Sequence, residues 1–399
     1  MPSDDITFGP PLSGEDIRRY LELGEYAFSS APPATPRLAR IEEDEPDRPL
    51  MRVARRGGEI VARSRLIPMG QWFGGRIVPM AGIAGVTVAA EHRSGGVGTA
   101  LAVDFIRVAR QHGFAISTLF PASLAVYRKV GYELAGTSLH YEVPIGSTAA
   151  ARRTAEGISV RTWRGGIEPL WPLYDREAAR TAGQLDRPPN FRRGVLDAGA
   201  QAVHAVVAER DGEPVGYLAF TQNGQYDADR SIDVRDFVST DRAATRTLWA
   251  FIAGHSGTVS AVRLWGSAAD HRLLDLPHRG WKVLGTEPWM IRIIDLPVAL
   301  TARGYPSGVA AELHLDYHDD ILPENSGRWL VRIAEGRATV ESGGDGRILA
   351  TSRGLSPVYS GFLPAALVAD AGSLVAPDDD LALLSTVFAG PSPWMADSF

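Results

Sequence analysis

Hydrophobic positions recur along this chain with two periods, and the switches between them mark its elements. "SGEDIRRYLELGEYAF" places Ile17, Tyr20 and Leu21 on one helical face, with Ser13 as N-cap and Glu15 and Asp16 in the first turn. After the Pro-rich "APPATPR" the period drops to two. "MRVARRGGEIVARSRLIPM" alternates on both sides of Gly57-Gly58 and predicts a β-hairpin, and "RIVPMAGIAGVTVAA" predicts a further strand. "EHRSGGVGTALAVDFIRVARQHGF" then leads through a glycine loop into a helix with Leu101, Phe105 and Val108 on one face, closed by Gly113. "AISTLFP" predicts a buried strand, and "SLAVYRKVGYELAG" a short helix ending at Gly131, followed by a strand.

The same order returns downstream. "HAVVAERDGEPVGYLAFTQ" is again a hairpin, now around Asp211-Gly212, and "SIDVRDFVSTDRAATRTLWAFIAGHS" again reads strand, loop, helix. The loop of this second copy, "STDRAATRT", contains no glycine, so it is not expected to grip what the first loop grips. The small, polar stretch "GSTAAARRTAEG" at 146–157 predicts a linker between the copies. From about 296 the pattern changes. "ELHLDYHDD" alternates Leu313, Leu315 and Tyr317, "GRWLVRIAEGRATVE" alternates Trp329, Val331 and Ile333, and "PENSG" turns between them. Beyond "GLSPVYSGFLP" the pattern becomes helical through "LALLSTVFAG". The expected organisation is therefore 1–150, 151–295 and an α+β unit over 296–399.

Composition narrows the chemistry. A chain of 399 residues, 45% hydrophobic and 22% charged, suits two or three soluble domains. Its formal charge of -6 argues against a general nucleic-acid binder and mildly favours cationic partners. There are no cysteines, which removes disulfides, thiolate zinc sites and any acyl-cysteine intermediate. The nine histidines are scattered; His140, His314 and His318 have no carboxylate at zinc-site spacing and are expected to be structural or superficial, with no metal bound. "MPSDDITFGPPL" has neither a basic n-region nor an apolar h-region, and "FLPAALVADAGSLVAP" is broken by Pro364 and Asp370. The expectation is a cytoplasmic protein without a membrane span.

The stretch that carries chemistry is "GVTVAAEHRSGGVGTALAVDF", a strand, then Arg93-Ser94-Gly95-Gly96-Val97-Gly98, then a helix. The first amides of a helix lack internal partners and sit at its positive end, so a phosphate fits there, and glycine lets it approach. An ATP-type loop needs a lysine that Gly98-Thr99 does not supply, and a dinucleotide fold places its loop after the first strand rather than after a hairpin and a further strand. Hairpin, strand, Arg-x-x-Gly-x-Gly, helix, strand and "AVYRKVGY" in this order resemble the GCN5-related N-acetyltransferases (GNAT), whose loop binds the pyrophosphate of acetyl-CoA. A tandem pair followed by a sterol-carrier-protein-like domain resembles the Eis (enhanced intracellular survival) family. The likeness spans nearly the whole chain and is strongest over "VTVAAEHRSGGVGTAL", "AVYRKVGY", "PENSGRW" and "PWMADSF".

That resemblance implies tandem GNAT-fold domains, the second degenerate, and an N-acetyltransferase that moves acetyl groups from acetyl-CoA to amines, often aminoglycosides, or to lysine side chains. It implies that Val86, Thr87 and Val88 present strand-edge backbone to the pantetheine arm, that Ser94, Gly95, Gly96, Val97, Gly98 and Thr99 hold the pyrophosphate, and that Ala122 and Ser123 add contacts. Arg93 either neutralises a phosphate or is a surface arginine. Tyr127 is either a packed helix tyrosine or, by its place before "RKVGY", the general acid that protonates the departing coenzyme A sulfur. The final "PSPWMADSF" poses a similar choice. Phe399 either pins the last segment by packing or, as in that family, carries its terminal carboxylate to the first active site as general base. A carboxylate with a pKa of about 3.3–3.7 in water is a poor base for an ammonium ion, and desolvation and proximity would improve it.

With no cysteine the expected route is direct transfer in a ternary complex, and the resemblance implies a homohexamer. This chain departs from the aminoglycoside-modifying members near Ser30, where they carry an acid, and near Phe120, where they carry a histidine. Glu25 and the acidic run "IEEDEPD" at 41–47 are the alternative sources of negative potential, or a solvated loop. Two other functions fit the pattern: a lipid or acyl carrier built on the last domain, and a transferase of another acyl group.

Overall fold

The computed structural model describes residues 6–27, 50–151, 155–197, 199, 201–224, 230–276 and 280–399. The Pro-rich loop, Ser30 and the acidic run at 41–47 lie outside them.

The first unit runs β1 (Ile6–Gly9), α1 (Gly14–Ala27), β2 (Met51–Arg56), β3 (Glu59–Phe73), β4 (Arg76–Val88), α2 (Val97–Gln111), β5 (Ile116–Leu119), α3 (Leu124–Arg128) and β6 (Glu133–Pro144). The Ser13 hydroxyl accepts the Asp16 amide at 3.1 Å, so α1 starts where its cap predicts. The second unit runs β7 (Ile158–Thr162), α4 (Trp171–Ala178), β8 (Leu185–Asp186), α5 (Pro189–Gly194), β9 (His204–Arg210), β10 (Glu213–Asn223), β11 (Ser231–Ser239), α6 (Arg242–Ala253), β12 (Ala261–Gly266) and β13 (Lys282–Ile293). The third runs α7 (Leu296–Ala302), β14 (Ala311–His318), β15 (Gly327–Ala334), β16 (Arg337–Ser342), β17 (Ile348–Thr351), α8 (Ser352–Tyr359), α9 (Ala365–Asp370), β18 (Leu374–Val375) and α10 (Asp378–Val387).

The two copies do not form separate sheets. One 13-stranded sheet runs β1-β2-β3-β4-β5-β13-β6-β12-β11-β10-β9-β7, with β8 paired to β3. The last strand of the second copy, β13, lies between β5 and β6 of the first, with Met290 opposite Leu119 and Glu287 opposite Ser138. In return β6 pairs with β12, Ala261 opposite Pro144. The stretch read as a linker therefore joins two halves of one sheet, and its first part, Ile145–Ala151, is a 3-10 helix.

Each copy opens a fork. In the first, β4 and β5 run parallel through Met80–Ile116, Ala81–Ser117 and Gly82–Thr118 and then part, so β4 from Ile83 to Val88 is paired only to β3. In the second, β11 and β12 part after Asp233 opposite Arg263.

The third unit is a five-stranded sheet, β16-β15-β14-β17-β18, over a core that includes Leu313, Leu315, Val331, Leu355 and Val358. Its helical part begins earlier than the periodicity predicts. Thr351 Oγ1 accepts the Gly354 amide at 3.1 Å and starts α8 ahead of Pro357, which lies inside the helix. The unit is bonded to β13, the strand of the second copy that lies within the first, through Arg292 and Asp319, an ion pair at 2.7 Å with both side chains about 1% exposed.

Candidate active site

The glycine loop leaves the start of α2 open. Gly96 occupies the N-cap with φ 79°, a left-handed conformation that favours glycine, and no side chain caps the helix. The first intrahelical bond shown at this end is from the Ala100 amide to the Gly96 carbonyl, 3.0 Å, which leaves the Val97, Gly98 and Thr99 amides ahead of it. Ser94, Gly95 and Gly96 are exposed, Gly98 and Thr99 half-buried, and Val97 is buried beneath them. A Cβ built on Gly96 meets nothing within 4 Å, so the loop is roomy as well as electropositive.

The second copy closes the same position. Asp241 is the N-cap of α6; its Oδ1 accepts the Ala244 amide at 2.9 Å, and Arg210 pairs with it at 3.0 Å. A carboxylate of the chain itself sits where the first copy offers room for an anion.

Two arginines flank the open loop. Arg93 Nε donates to the Val88 carbonyl at 3.2 Å, tying the strand end to the loop. Arg56, at the end of β2, contacts His92 Nδ1 at 3.3 Å, and one of its terminal nitrogens lies 3.8 Å from where a Gly95 Cβ would be. Sequence reasoning passed over Arg56, because an arginine beside a hairpin turn reads as solvent-facing. Its signal is only the register that brings "RRGG" beside the loop.

Val86, Thr87 and Val88 lie on the part of β4 that has left β5. Thr87 is buried, while Val86 and Val88 are half-buried. The Val88 carbonyl is taken by Arg93, so the strand offers less free backbone at its end than the reading of the sequence assumes. Across the fork, Ala122 and Ser123 are exposed between β5 and α3, and the Ser123 side chain does not cap that helix.

Tyr127 is 7% exposed, its ring edge-to-face with Tyr132 at 5.9 Å. Tyr132 is fixed by donating to Ser117 Oγ at 2.6 Å, and Ser117 donates to the Ala81 carbonyl at 3.0 Å. The Tyr127 hydroxyl makes no hydrogen bond with any described residue. Burial pushes its pKa up to about 12.

The C-terminal segment arrives at the same fork from the far side. Met395 exchanges hydrogen bonds with Ser138 Oγ on β6, 3.1 Å from its amide and 2.6 Å to its carbonyl, and the Trp394 amide donates to Ala182 at 3.0 Å. Arg187 Nε donates to Asp397 at 2.8 Å. The Phe399 ring then packs edge-to-face on Phe120, centroids 5.4 Å apart. It lies so close to Gly82 that a Cβ there would be 2.9 Å from its Cε2. Gly82 is the last paired residue of β4 against β5, so Phe399 stands at the fork itself.

Glu25, in α1, is half-buried with Oε1 lacking a partner among the described residues. His318 meets Asp320 at 2.8 Å and His314 accepts the Asp345 amide at 3.0 Å, while His140 stacks on Trp265 at 4.6 Å. Among the described residues no group of three or more His, Cys, Asp or Glu side chains is arranged to hold a metal ion, and no helix is long and apolar enough to cross a membrane.

Comparison with known proteins matches two acetyltransferase (GNAT) domain families, over residues 11–135 and 183–293, and the sterol carrier protein domain over 296–396. The chain is 27% identical over 349 residues to an uncharacterized N-acetyltransferase of Streptomyces avermitilis, covering 82% of this chain and 83% of that one. It is 27% identical over 307 residues to the N-acetyltransferase Eis of Mycobacterium tuberculosis, covering 71% of each. Among solved structures, a GCN5-related N-acetyltransferase from Anabaena variabilis superposes with a TM-score of 0.91 at 31% identity, covering 99% of this chain and 100% of that one. One from Kribbella flavida superposes with 0.84 at 28% identity, covering 99% and 98%.

Proposed function

This chain belongs to the Eis family of GCN5-related N-acetyltransferases, enzymes that draw on acetyl-CoA, and from that premise we propose that it acetylates primary amines of polycationic small molecules or lysine side chains by direct transfer in a ternary complex. In this reading residues 1–150 are the catalytic unit, 151–295 a second, non-catalytic copy, and 296–399 a sterol-carrier-like unit.

The observation that carries the reading is the uncapped helix start at Gly96 beside a fork that the chain's own terminus enters. The residues present fit a pyrophosphate: amides without partners, glycines without a side chain in the way, and Arg56 and Arg93 beside them. Charge-assisted bonds at about 1.5–3 kcal/mol each from the amides of Val97, Gly98 and Thr99 only modestly exceed an association cost of roughly 4 kcal/mol or more. The loop therefore needs help from the β4 edge at Val86 and Thr87, and from Ala122 and Ser123 opposite.

Acetyl-CoA, when bound, supplies a thioester whose acetyl carbon an amine can attack. Tyr127 holds a proton well above neutral pH on a hydroxyl that has no hydrogen bond among the described residues, and would give it to the departing sulfur. The Phe399 carboxylate, next to the ring that packs at the fork, would take one proton from the incoming ammonium and release it to solvent; the second, lost by nitrogen as the amide forms, would restore Tyr127. Phe120, near which the aminoglycoside-modifying members carry a histidine, here forms the wall against which that ring packs. The carrier reading loses support from Arg303: 3% exposed, it lies 4.6 Å from the Phe388 centroid and 5.0 Å from those of Tyr305 and Tyr359, a cation where an apolar ligand would want a dry cavity.

Incubation with acetyl-CoA and a panel of aminoglycosides, polyamines and lysine peptides should release free thiol with at least one amine, with intersecting initial-rate lines. Silence across the panel would defeat the activity, and parallel lines the ternary complex. The family likeness also supports a homohexamer; sedimentation as a 43.0 kDa species would overturn that.

A further inference from the structure

We propose that the second copy is the holder of the C-terminal tail, with Arg187 as a positioning residue for the Phe399 carboxylate; this rests on the reading of that carboxylate as the base. The second copy keeps the fork but Asp241 closes its anion position, so the fork is free for another occupant. That occupant is the C-terminal tail. A cavity of about 350 Å³ at the parting of β11 and β12 is walled by Phe237, Trp265 and Arg272 on one side and by Pro391, Trp394 and Ala396 of the tail on the other. The Arg272 guanidinium lies 5.3 Å from the Trp394 ring centroid and 5.6 Å from that of Phe237, and Asp270 fixes it from behind.

Arg187 makes the tightest connection. It is 2% exposed, forks onto Asp236 of β11 through both terminal nitrogens at 2.7 and 2.8 Å, and uses Nε for Asp397 at 2.8 Å. Tyr217 donates to Asp236 at 2.8 Å, and the Tyr174 ring lies 4.0 Å under the guanidinium. Every nitrogen of the guanidinium is thus committed, and a planar fork so held has one orientation. Asp397 precedes Phe399 by two residues, so its anchor limits how far the terminal carboxylate can wander. Gln184 reinforces the grip, donating to the Trp394 carbonyl at 3.2 Å. Besides Arg187, Asp236, Tyr174 and Tyr217, the titratable and charged groups that line the hollow with Asp397 are His140, Asp197, Asp233, Arg235 and Arg263.

Removing Arg187 would strand Asp236 as a buried unpaired charge and would test folding instead. Asp397→Ala leaves the Arg187–Asp236 pair intact. It should keep the thermal midpoint and the KM for acetyl-CoA within twofold, lower kcat at least tenfold, and move the ascending limb of the pH–kcat profile upward, because the amine must then shed its proton unaided. Trp394→Ala should act in the same direction. A chain extended past Phe399 should lose turnover, and adding Asp397→Ala to it should cost nothing more. If the extension abolishes turnover while Asp397→Ala leaves kcat and the profile unchanged, or the two losses multiply, the positioning role is overturned and the base stands. If the extended chain is fully active, the base reading falls and takes this inference with it.

Discussion

The ring of Phe399 stands edge-on to that of Phe120, at an interplanar angle of 71°, and it lies where a side chain on Gly82 would project. A residue at the very end of the chain thereby packs on the two strands whose parting makes the fork. The contact depends on glycine. A Cβ at position 82 would stand 2.1 Å from Met69 Cε and 2.9 Å from Phe399 Cε2. Met69 ends in a flexible thioether and can yield, whereas the terminal ring is stiff and packed against Phe120. Gly82→Ala should therefore fold, bind acetyl-CoA with little change, and lose at least tenfold in kcat. A titration of acetyl-CoA beside a steady-state assay separates the two effects; equal losses in both would mean that the fork itself had collapsed.

Tyr127 should act as a proton donor across the whole practical pH range. Burial raises its pKa to about 12, above the ordinary 10.0, so the neutral form is the one favoured in the fold. The sign follows: the proton is retained through pH 10 and lost only as pH rises through about 12. Turnover should show no descending limb between pH 8 and about 11, and Tyr127→Phe should lower kcat by roughly 10²-fold with acetyl-CoA affinity preserved. A limb near pH 10 that vanishes in Tyr127→Phe would mean that the hydroxyl is solvated.

Much of this architecture is legible in local pattern. Gly57-Gly58 and Asp211-Gly212 mark their hairpins because two consecutive positive φ values are a local demand, and the apolar face of α2 at Leu101, Phe105 and Val108 is a matter of spacing. What is not legible is pairing at a distance. Nothing in "TEPWMIRI" says that Met290 will lie beside Leu119 rather than beside its own copy's strands, because exchanged strands satisfy the same alternation. The same blindness hid Arg56, which faces the glycine loop only once β2 is in register. Pro357 misplaced the start of α8, because a proline usually ends a helix while here the Thr351 cap had already begun one. The route of the tail past Arg187 left no trace in sequence beyond an aspartate two places from the end.

Glu133 joins the first unit to the sterol-carrier-like one. It receives Arg128 of α3 at 2.7 Å and Arg353 of α8 at 2.7 Å. Burial alone lifts its carboxyl, but the hydrogen bonds from Arg128 and Arg353, with that from the Leu134 amide, hold it below the ordinary 4.5. A lowered folded pKa means that the stabilisation is complete above pH 4.5 and is lost as pH falls through the folded value. Glu133→Gln should cost about 1.5–3 kcal/mol at pH 7 and nothing at a pH where both forms are neutral. Urea titrations at the two pH values measure this; a pH-independent loss would assign the effect to packing.

The last prediction exchanges the two helix starts. Gly96 leaves α2 uncapped, and Asp241 caps α6 through the Ala244 amide. Gly96→Asp would build in the first copy what the second already has: a carboxylate over the free amides, set against the phosphates it would have to admit. It also places a side chain at φ 79°, at a cost of about 1–2 kcal/mol. Repulsion adds to that cost for the ligand alone, so acetyl-CoA affinity should fall at least a hundredfold while the protein loses only modest stability. Gly96→Asn separates the two effects, because asparagine tolerates the left-handed region and brings no charge; it should retain most of the affinity. Asp241→Ala should do the converse, costing about 0.5–2 kcal/mol of stability as any lost N-cap does and leaving acetyl-CoA affinity untouched. Calorimetric titration of the three variants decides the matter. Were Gly96→Asp to bind as well as the parent, the pyrophosphate would not lie on these amides, and the assignment of Ser94 through Thr99 would be wrong.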